Sequence, residues 1–413
     1  MKKSIVLFLI LTFGSLLNIS HAQIITQNNN IVLGTLDSLQ STTLNELRKI
    51  WVHVPNTKKG SNEKFPVVYL LDGDSHFVSV TGMIHQLSTI NGNTIVPKMI
   101  VVAIPNTDRM RDLTPSHVKN NNRPNTSGGG ENFMDFLENE LIPYINSKYP
   151  TSQHRTLIGH SLGGLTSINT LLKRPHLFNN YVAIDPSLWW DKNLVLEASK
   201  SILKTKSFKE KSLFVGIANT MPKDMTFKAL KKDTNVNTNH MRAILEFCET
   251  VIPNSKTHLN FDYKYYENDT HSSVPLITEY DAFHFLFSWY NIGDKFNIII
   301  DKNTSTEKAL NIITEHYQTI SKKIGQSVPP SEAMVNQLGY GFMNQKMTDK
   351  AFSFFKLNVE NFPNSSNVYD SLGDFYTAQH DIKNAIKSYT KAMKTNGGND
   401  YSQEKLDKLR AER

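Results

Sequence analysis

Between residues 24 and 55 apolar and polar side chains alternate, ending in Arg48-Lys49-Ile50-Trp51-Val52-His53-Val54-Pro55. A period of two predicts antiparallel edge strands with one wetted face. The runs that follow are continuously apolar: Phe65–Leu71, Met99–Ile104, Arg155–Ile158, Tyr181–Ile184 and Ser212–Ala218. They leave no polar face for water, so they read as buried central strands. Leu259–Tyr266 closes the set. Between them, Glu131–Tyr149 carries Phe133, Phe136, Leu137 and Ile145 on one helical side, and Leu165–Leu172 reads as a second helix. Strands alternating with helices predict an α/β fold, a mostly parallel sheet covered on both faces.

The pattern changes after Tyr290. Thr304 with Glu307 forms a capping box ahead of a helix running to about Lys323. Pro329 and Pro330 interrupt it. Two later segments then match at a 34-residue offset, pairing Leu338-Gly339 with Leu372-Gly373, Phe342 with Tyr376, Ala351 with Ala385 and Phe355 with Tyr389. This resembles the tetratricopeptide repeat, a helix-turn-helix unit whose small residues let helices approach while aromatics fill the gap. Two repeats are fewer than an array usually needs, so the 304–323 helix is expected to cap them, or the repeats to dock on the first domain. The boundaries expected are a leader over 1–22, an α/β domain over 23–292, a linker with a helix over 293–330, and helical repeats over 331–413.

The leader follows from Met1-Lys2-Lys3, the apolar stretch Ile5–Leu17 and Ser20-His21-Ala22 before Gln23. This is a secretory signal pattern, too short for a comfortable membrane span. It predicts a periplasmic or secreted protein with no stable membrane anchor. The one cysteine, Cys248, lies in an apolar helical pattern and reads as packed core, so no internal disulfide is expected. A formal charge of +7 spread along 413 residues leaves no nucleic-acid footprint.

The chemistry concentrates at Gly159-His160-Ser161-Leu162-Gly163-Gly164, a G-x-S-x-G match between a predicted strand and a predicted helix. That layout places a serine on a sharp turn as a nucleophile. A serine hydroxyl needs a base. His271 follows the last strand and is favoured over His284, which lies in an apolar helix. The orienting acid is expected after Ser212–Ala218, with Asp224 the nearest. Asp233, Asp185 and Asp269 stay open, as does a serine–histidine pair without an acid. The oxyanion donors are expected from the backbone of Leu162 and of Gly73 or Asp74. Asp72 and Asp74 read as acids that stabilise their loop, and no metal or cofactor is expected. Arg109 and Arg111 either face the site or sit in loop salt bridges. Trp189, with His160, is expected at the substrate, while the other indole of Trp189-Trp190 packs in the core. The loop from His117 to Gly130 is expected to be mobile.

Val68-Tyr69-Leu70-Leu71-Asp72-Gly73, Ile104–Arg109, Gly159–Gly164, Pro186-Ser187-Leu188-Trp189-Trp190 and Asp269-Thr270-His271-Ser272 occur in that order. Together they resemble the putative-esterase family of α/β-hydrolases, which includes siderophore trilactone esterases, S-formylglutathione hydrolases, feruloyl esterases and mycolyltransferases. The resemblance covers about residues 30–292. It implies an α/β-hydrolase fold with Ser161 as nucleophile, His271 as base, and Leu162 with the Asp72–Asp74 loop holding the oxyanion. Many members carry a glutamate just after the strand equivalent to 212–218, where this chain has Asn219-Thr220-Met221. The expected activity is serine carboxylesterase, on siderophore or other aromatic esters. Feruloyl or acetyl sugar esters, acyl transfer, and a weak catalyst whose repeats bind a peptide partner or self-associate are the other readings.

Overall fold

The computed structural model describes residues 31–57, 62–119, 126–395 and 400–411. The predicted leader and cleavage point, and the middle of the 117–130 loop, lie outside those residues. The described strands are β1 (Thr35–Ser41), β2 (Glu46–His53), β3 (Phe65–Leu71), β4 (Ile100–Ile104), β5 (Thr151–His160), β6 (Asn180–Ile184), β7 (Ser212–Ala218) and β8 (Asn260–Tyr266). They form one sheet in the order β1-β2-β4-β3-β5-β6-β7-β8. β1, β2 and β4 pair antiparallel in succession, and every pairing from β4 to β8 is parallel.

The hydropathy pattern maps directly onto this sheet. In β2 the buried residues are Arg48, Ile50 and Val52, alternating with more exposed neighbours. All of β3, β4 and β6 is buried, as continuous apolar runs require. β3 lies between β4 and β5, so the chain crosses to the other side of β3 after β4. Such a switch opens a crevice beyond the carboxyl ends of the strands.

Four helices frame that crevice or its approaches: α1 (Gly73–Ser88), α2 (Leu162–Lys173), α3 (Asn239–Glu246) and α4 (Val274–Leu286). The 131–149 helix is present as Gly130–Lys148 with a widened turn over Leu137–Leu141. Cys248 is fully buried in the main core, and burial raises its thiol well above the usual range.

The C-terminal region is all helical: α5 (Thr306–Ile324), α6 (Glu332–Asn344), α7 (Thr348–Asn361), α8 (Ser366–Ala378) and α9 (Ile382–Lys394), flanked by short helices Lys295–Ile300 and Asp400–Ala411. The cap of α5 is Ser305, whose Oγ accepts from the Lys308 N–H, and not the predicted Thr304. The 34-residue offset is a repeat of packing. A Cβ on Gly339 would lie 2.7 Å from the Phe355 ring, and one on Gly373 would lie 2.5 Å from the Tyr389 ring. Ile299, Ala309 and Ile313 share a core with Val335, Leu338 and Phe354, so much of 293–330 is integral to this region.

One buried imidazole joins α5 to the sheet. His154 Nδ1–H donates to the Lys323 carbonyl at 2.9 Å, and its Nε2 accepts from Asn180 Nδ2 at 3.0 Å. Phe287 and Trp289 flank the ring, each 5.6 Å between centroids. Burial pushes His154 down to about 4, so it is neutral at neutral pH.

Candidate active site

Ser161 leaves the end of β5 with φ 60° and ψ −113°, a strained backbone for a residue with a side chain. The turn is tight because a Cβ on Gly159 would lie 2.2 Å from the Gly163 carbonyl oxygen. Two bonds staple the turn to the exit of β6. Ser161 N–H donates to Ile184 O at 2.8 Å, and Ser187 N–H donates to Ser161 O at 3.0 Å. Asp185, between those partners, also has positive φ, at 41°.

That stapled exit brings a carboxylate to His271. Asp185 Oδ2 lies 2.5 Å from His271 Nδ1 and 2.8 Å from His240 Nε2, while Oδ1 accepts from the Ala218 N–H at 3.0 Å. The carboxylate has no exposed surface. Burial alone would raise its pKa, but the bonds from His240, His271 and Ala218 prevail and hold it well below the usual carboxylate range. The His271 side chain is 39% exposed and the His240 side chain 19%. With Nδ1 of His271 turned to Asp185, Nε2 is the nitrogen left for a substrate or a serine. The Ser161 hydroxyl bonds to Ser187 Oγ at 3.2 Å in this conformer.

The preferred acid of the sequence reading is thereby corrected. Asp224 is exposed in a left-handed turn, φ 64°, and makes no contact with His271. The chain turns it outward because the segment after β7 is anchored by Asn219. Its N–H donates to Asp269 O at 2.8 Å and its Nδ2 to Glu267 O at 2.9 Å, tying β7's exit to the His271 loop. Asp233 accepts locally from Thr238 Oγ1, and Asp269 from Ser273 Oγ. Asp185, one of the alternatives, is the carboxylate that meets the imidazole.

The expected oxyanion donors sit at two helix starts. Leu162 is the first residue of α2, and Gly73 and Asp74 open α1. N–H groups in a first helical turn have no partner within the helix. The two starts are adjacent, since a Cβ on Gly163 would lie 3.2 Å from Asp72 Oδ2. Gly73 has a second reason to be glycine: a Cβ there would strike the Ile104 nitrogen at 2.4 Å.

Arg109 is engaged before any ligand arrives. Its Nε and Nη2 bond Asp72 at 2.6 and 3.0 Å, and Nη2 also reaches the His160 carbonyl at 3.2 Å. The guanidinium therefore clamps the β3 exit to the turn that carries Ser161. Arg111 is bound to Glu46 and Asp112. His160 is engaged as well: its Nε2–H donates to the His271 carbonyl at 2.8 Å, and the two rings lie 4.5 Å apart. Burial, with His271 and His76 nearby, pushes His160 down to about 4. Trp189 is 41% exposed, whereas Trp190 is buried and donates from Nε1 to Ser116 Oγ.

A polar cleft of about 580 Å³ adjoins these groups, with Asp72, Asn106, Arg109, His160, His76 and Ser272 in its wall. His76 also faces buried Glu279 at 3.2 Å. Burial raises Glu279 against the pull of His76, a pairing that sequence patterning did not reveal. Asp185, His240 and His271 bring one potential metal-ligating atom each within 4.8 Å of one another, and here those atoms face each other as hydrogen-bond donors and acceptor. His240 was the other residue missed, since nothing in Thr238-Asn239-His240-Met241 distinguishes it from a surface histidine.

Residues 41–280, more than half of the chain, match the model of the family described as "Putative esterase". The chain belongs to this family. The ferri-bacillibactin esterase BesA of Bacillus subtilis is 32% identical over 188 residues, covering 42% of this chain and 65% of that protein. The siderophore triacetylfusarinine C esterase of Aspergillus fumigatus is 27% identical over 158 residues, covering 36% and 53%. The chain thus spans between about half and two thirds of the length of these curated relatives. Among solved structures, an IroE-like serine hydrolase from Shewanella oneidensis is 32% identical with a TM-score of 0.63, covering 79% of this chain and 99% of that one. An uncharacterised protein from Capnocytophaga ochracea shares the fold over 91% of this chain and 99% of its own, at 18% identity and a TM-score of 0.64. Among the described residues no helix is long and apolar enough to cross a membrane.

Proposed function

We propose that this esterase-family chain hydrolyses carboxylic esters by an acyl-enzyme route, with Ser161 as nucleophile, His271 as general base and Asp185 as the acid that orients it. The observation that carries the reading is the bond between Asp185 Oδ2 and His271 Nδ1, beside a serine held in a strained turn. Rotation of the Ser161 side chain from Ser187 toward His271 Nε2 starts the reaction. The Ser161 oxygen attacks the ester carbonyl as His271 Nε2 takes its proton. Leu162 N–H, with Gly73 or Asp74 N–H, receives the oxyanion. His271 then gives the proton to the departing alcohol. Water, deprotonated by the same nitrogen, releases the acid and restores the serine. Asp185 stays ionised throughout and stabilises the imidazolium.

Siderophore esters are the first substrate class to test, on the strength of the named relatives. The polar wall of the cleft supports a substrate rich in hydrogen-bonding groups. The leader pattern supports action outside the cytoplasm. Purified protein should turn over p-nitrophenyl acetate and take a fluorophosphonate label at Ser161, and Ser161→Ala should lose both. Wild-type turnover in that variant would refute the site. Rates on a catecholate trilactone, feruloyl esters and acetylated sugars then order the substrates.

A further inference from the structure

We propose that His240 is a positioning residue for the catalytic pair: by donating its Nε2–H to Asp185 Oδ2, the oxygen that also serves His271, it fixes the direction and the basicity of that carboxylate. The inference rests on the serine-esterase reading above for its kinetic consequences.

Three donors converge on one buried carboxylate. The Ala218 N–H takes Oδ1, at 3.0 Å. Oδ2 takes both imidazoles, at 2.5 Å from His271 and 2.8 Å from His240. The rings of His240 and His271 lie 5.5 Å apart at 85°, so they approach the oxygen from different directions. Asp185 has no surface open to bulk solvent, its exposure being 0%. These three protein donors therefore hold its charge and its orientation.

The tautomer of His240 follows from its surroundings. Its Nδ1 is buried and has no hydrogen-bond partner among the described residues. A proton there would be an orphaned donor, whereas a proton on Nε2 meets Asp185. His240 thus donates from Nε2, carried by α3 and aimed from outside the strand ends. A carboxylate oxygen that already accepts one bond accepts a second less strongly. Without His240, Oδ2 would pull harder on the His271 proton, and the carboxylate could turn about its own axis. The other titratable groups near His271 are His160, 4.5 Å away between ring centroids, and Asp269, held by Ser273 on the same loop. His76 stands behind His160, and Asp72 is tied to Arg109.

The test compares His240→Phe, which keeps the ring and removes the donor, with His240→Gln, which keeps an amide donor. In His240→Phe, kcat should fall about 10- to 100-fold with KM nearly unchanged, the size expected for loss of a hydrogen bond to a charged group. The acidic limb of its kcat/KM profile should move to higher pH by about half a unit, because a more basic Asp185 favours the imidazolium. His240→Gln should restore most of the rate and the wild-type limb. Histidine-selective NMR reads the same arrangement without turnover. In the wild type His240 should carry its proton on Nε2. In His240→Phe the His271 Nδ1–H resonance should move further downfield. A wild-type proton on His240 Nδ1 would overturn the inference. So would an unmoved His271 resonance and acidic limb in His240→Phe. A wild type that neither hydrolyses esters nor labels at Ser161 would instead refute the enzymatic reading, and the tautomer and resonance would still decide the role of His240.

Discussion

Asp185 Oδ2 stands 2.5 Å from His271 Nδ1, although 86 residues separate the two in the chain. They meet because β6 ends beside β5, the strand that leads into Ser161, while the loop beyond β8 folds back over β7. Asp185→Asn should lower kcat by about 10²- to 10⁴-fold, since the amide favours the wrong tautomer of the base. Asp224→Asn should leave kcat within about two-fold, as expected for an exposed carboxylate far from reacting atoms. Steady-state kinetics on p-nitrophenyl acetate separates the two, and the opposite ranking would return the acid to Asp224.

Arg109 offers a split between binding and catalysis. Its planar fork holds Asp72 at two points, a geometry that lysine does not reproduce. Arg109→Lys should loosen the turn bearing Gly73 and Asp74, lowering kcat more than it raises KM. If KM rises about ten-fold or more with kcat intact, the guanidinium binds substrate directly.

His154 makes the joint with α5 sensitive to acid. Its folded value is about 4, against 6.5 for the free side chain. Well above pH 6.5 neither state is protonated, so the group does not affect stability. As pH falls from 6.5 toward 4 the unfolded chain binds a proton that the native chain refuses, and stability is lost. The total approaches about 3 kcal/mol by pH 4. Urea midpoints at pH 7.5, 5.5 and 4.5 should fall more steeply for the wild type than for His154→Gln.

Gly373 is filled by its neighbour's ring. Gly373→Ala places a methyl 2.5 Å from Tyr389 and should destabilise the helical region by about 1–3 kcal/mol. Fluorophosphonate labelling of Ser161 should be unchanged at temperatures where that region stays folded. Differential melting, with labelling before and after the first transition, checks both halves of the statement.

Much of the architecture was legible because it is local. The continuous apolar runs Val67–Leu71 and Tyr181–Ile184 leave no choice but burial on both faces, and both are interior strands. The 34-residue offset of Gly339 and Gly373 announced a repeated contact, and each glycine does meet the matching aromatic. The Ser161 turn was legible because the glycines around it sit between a strand pattern and a helix pattern. The acid was not. Asp185 and Asp224 each follow an apolar strand, and a strand's end says nothing of where the next loop will lie.

The sequence by itself determined the strands, the strained serine turn and the helical C-terminal region, because hydropathy period and glycine placement act over a few residues. Only the tertiary structure decided which carboxylate faces His271, that His240 shares it, that Arg109 clamps Asp72, and that His154 joins α5 to the sheet. Each of those depends on strand order and on the path of distant loops, and a buried polar group takes whichever partner that packing brings within about 3 Å.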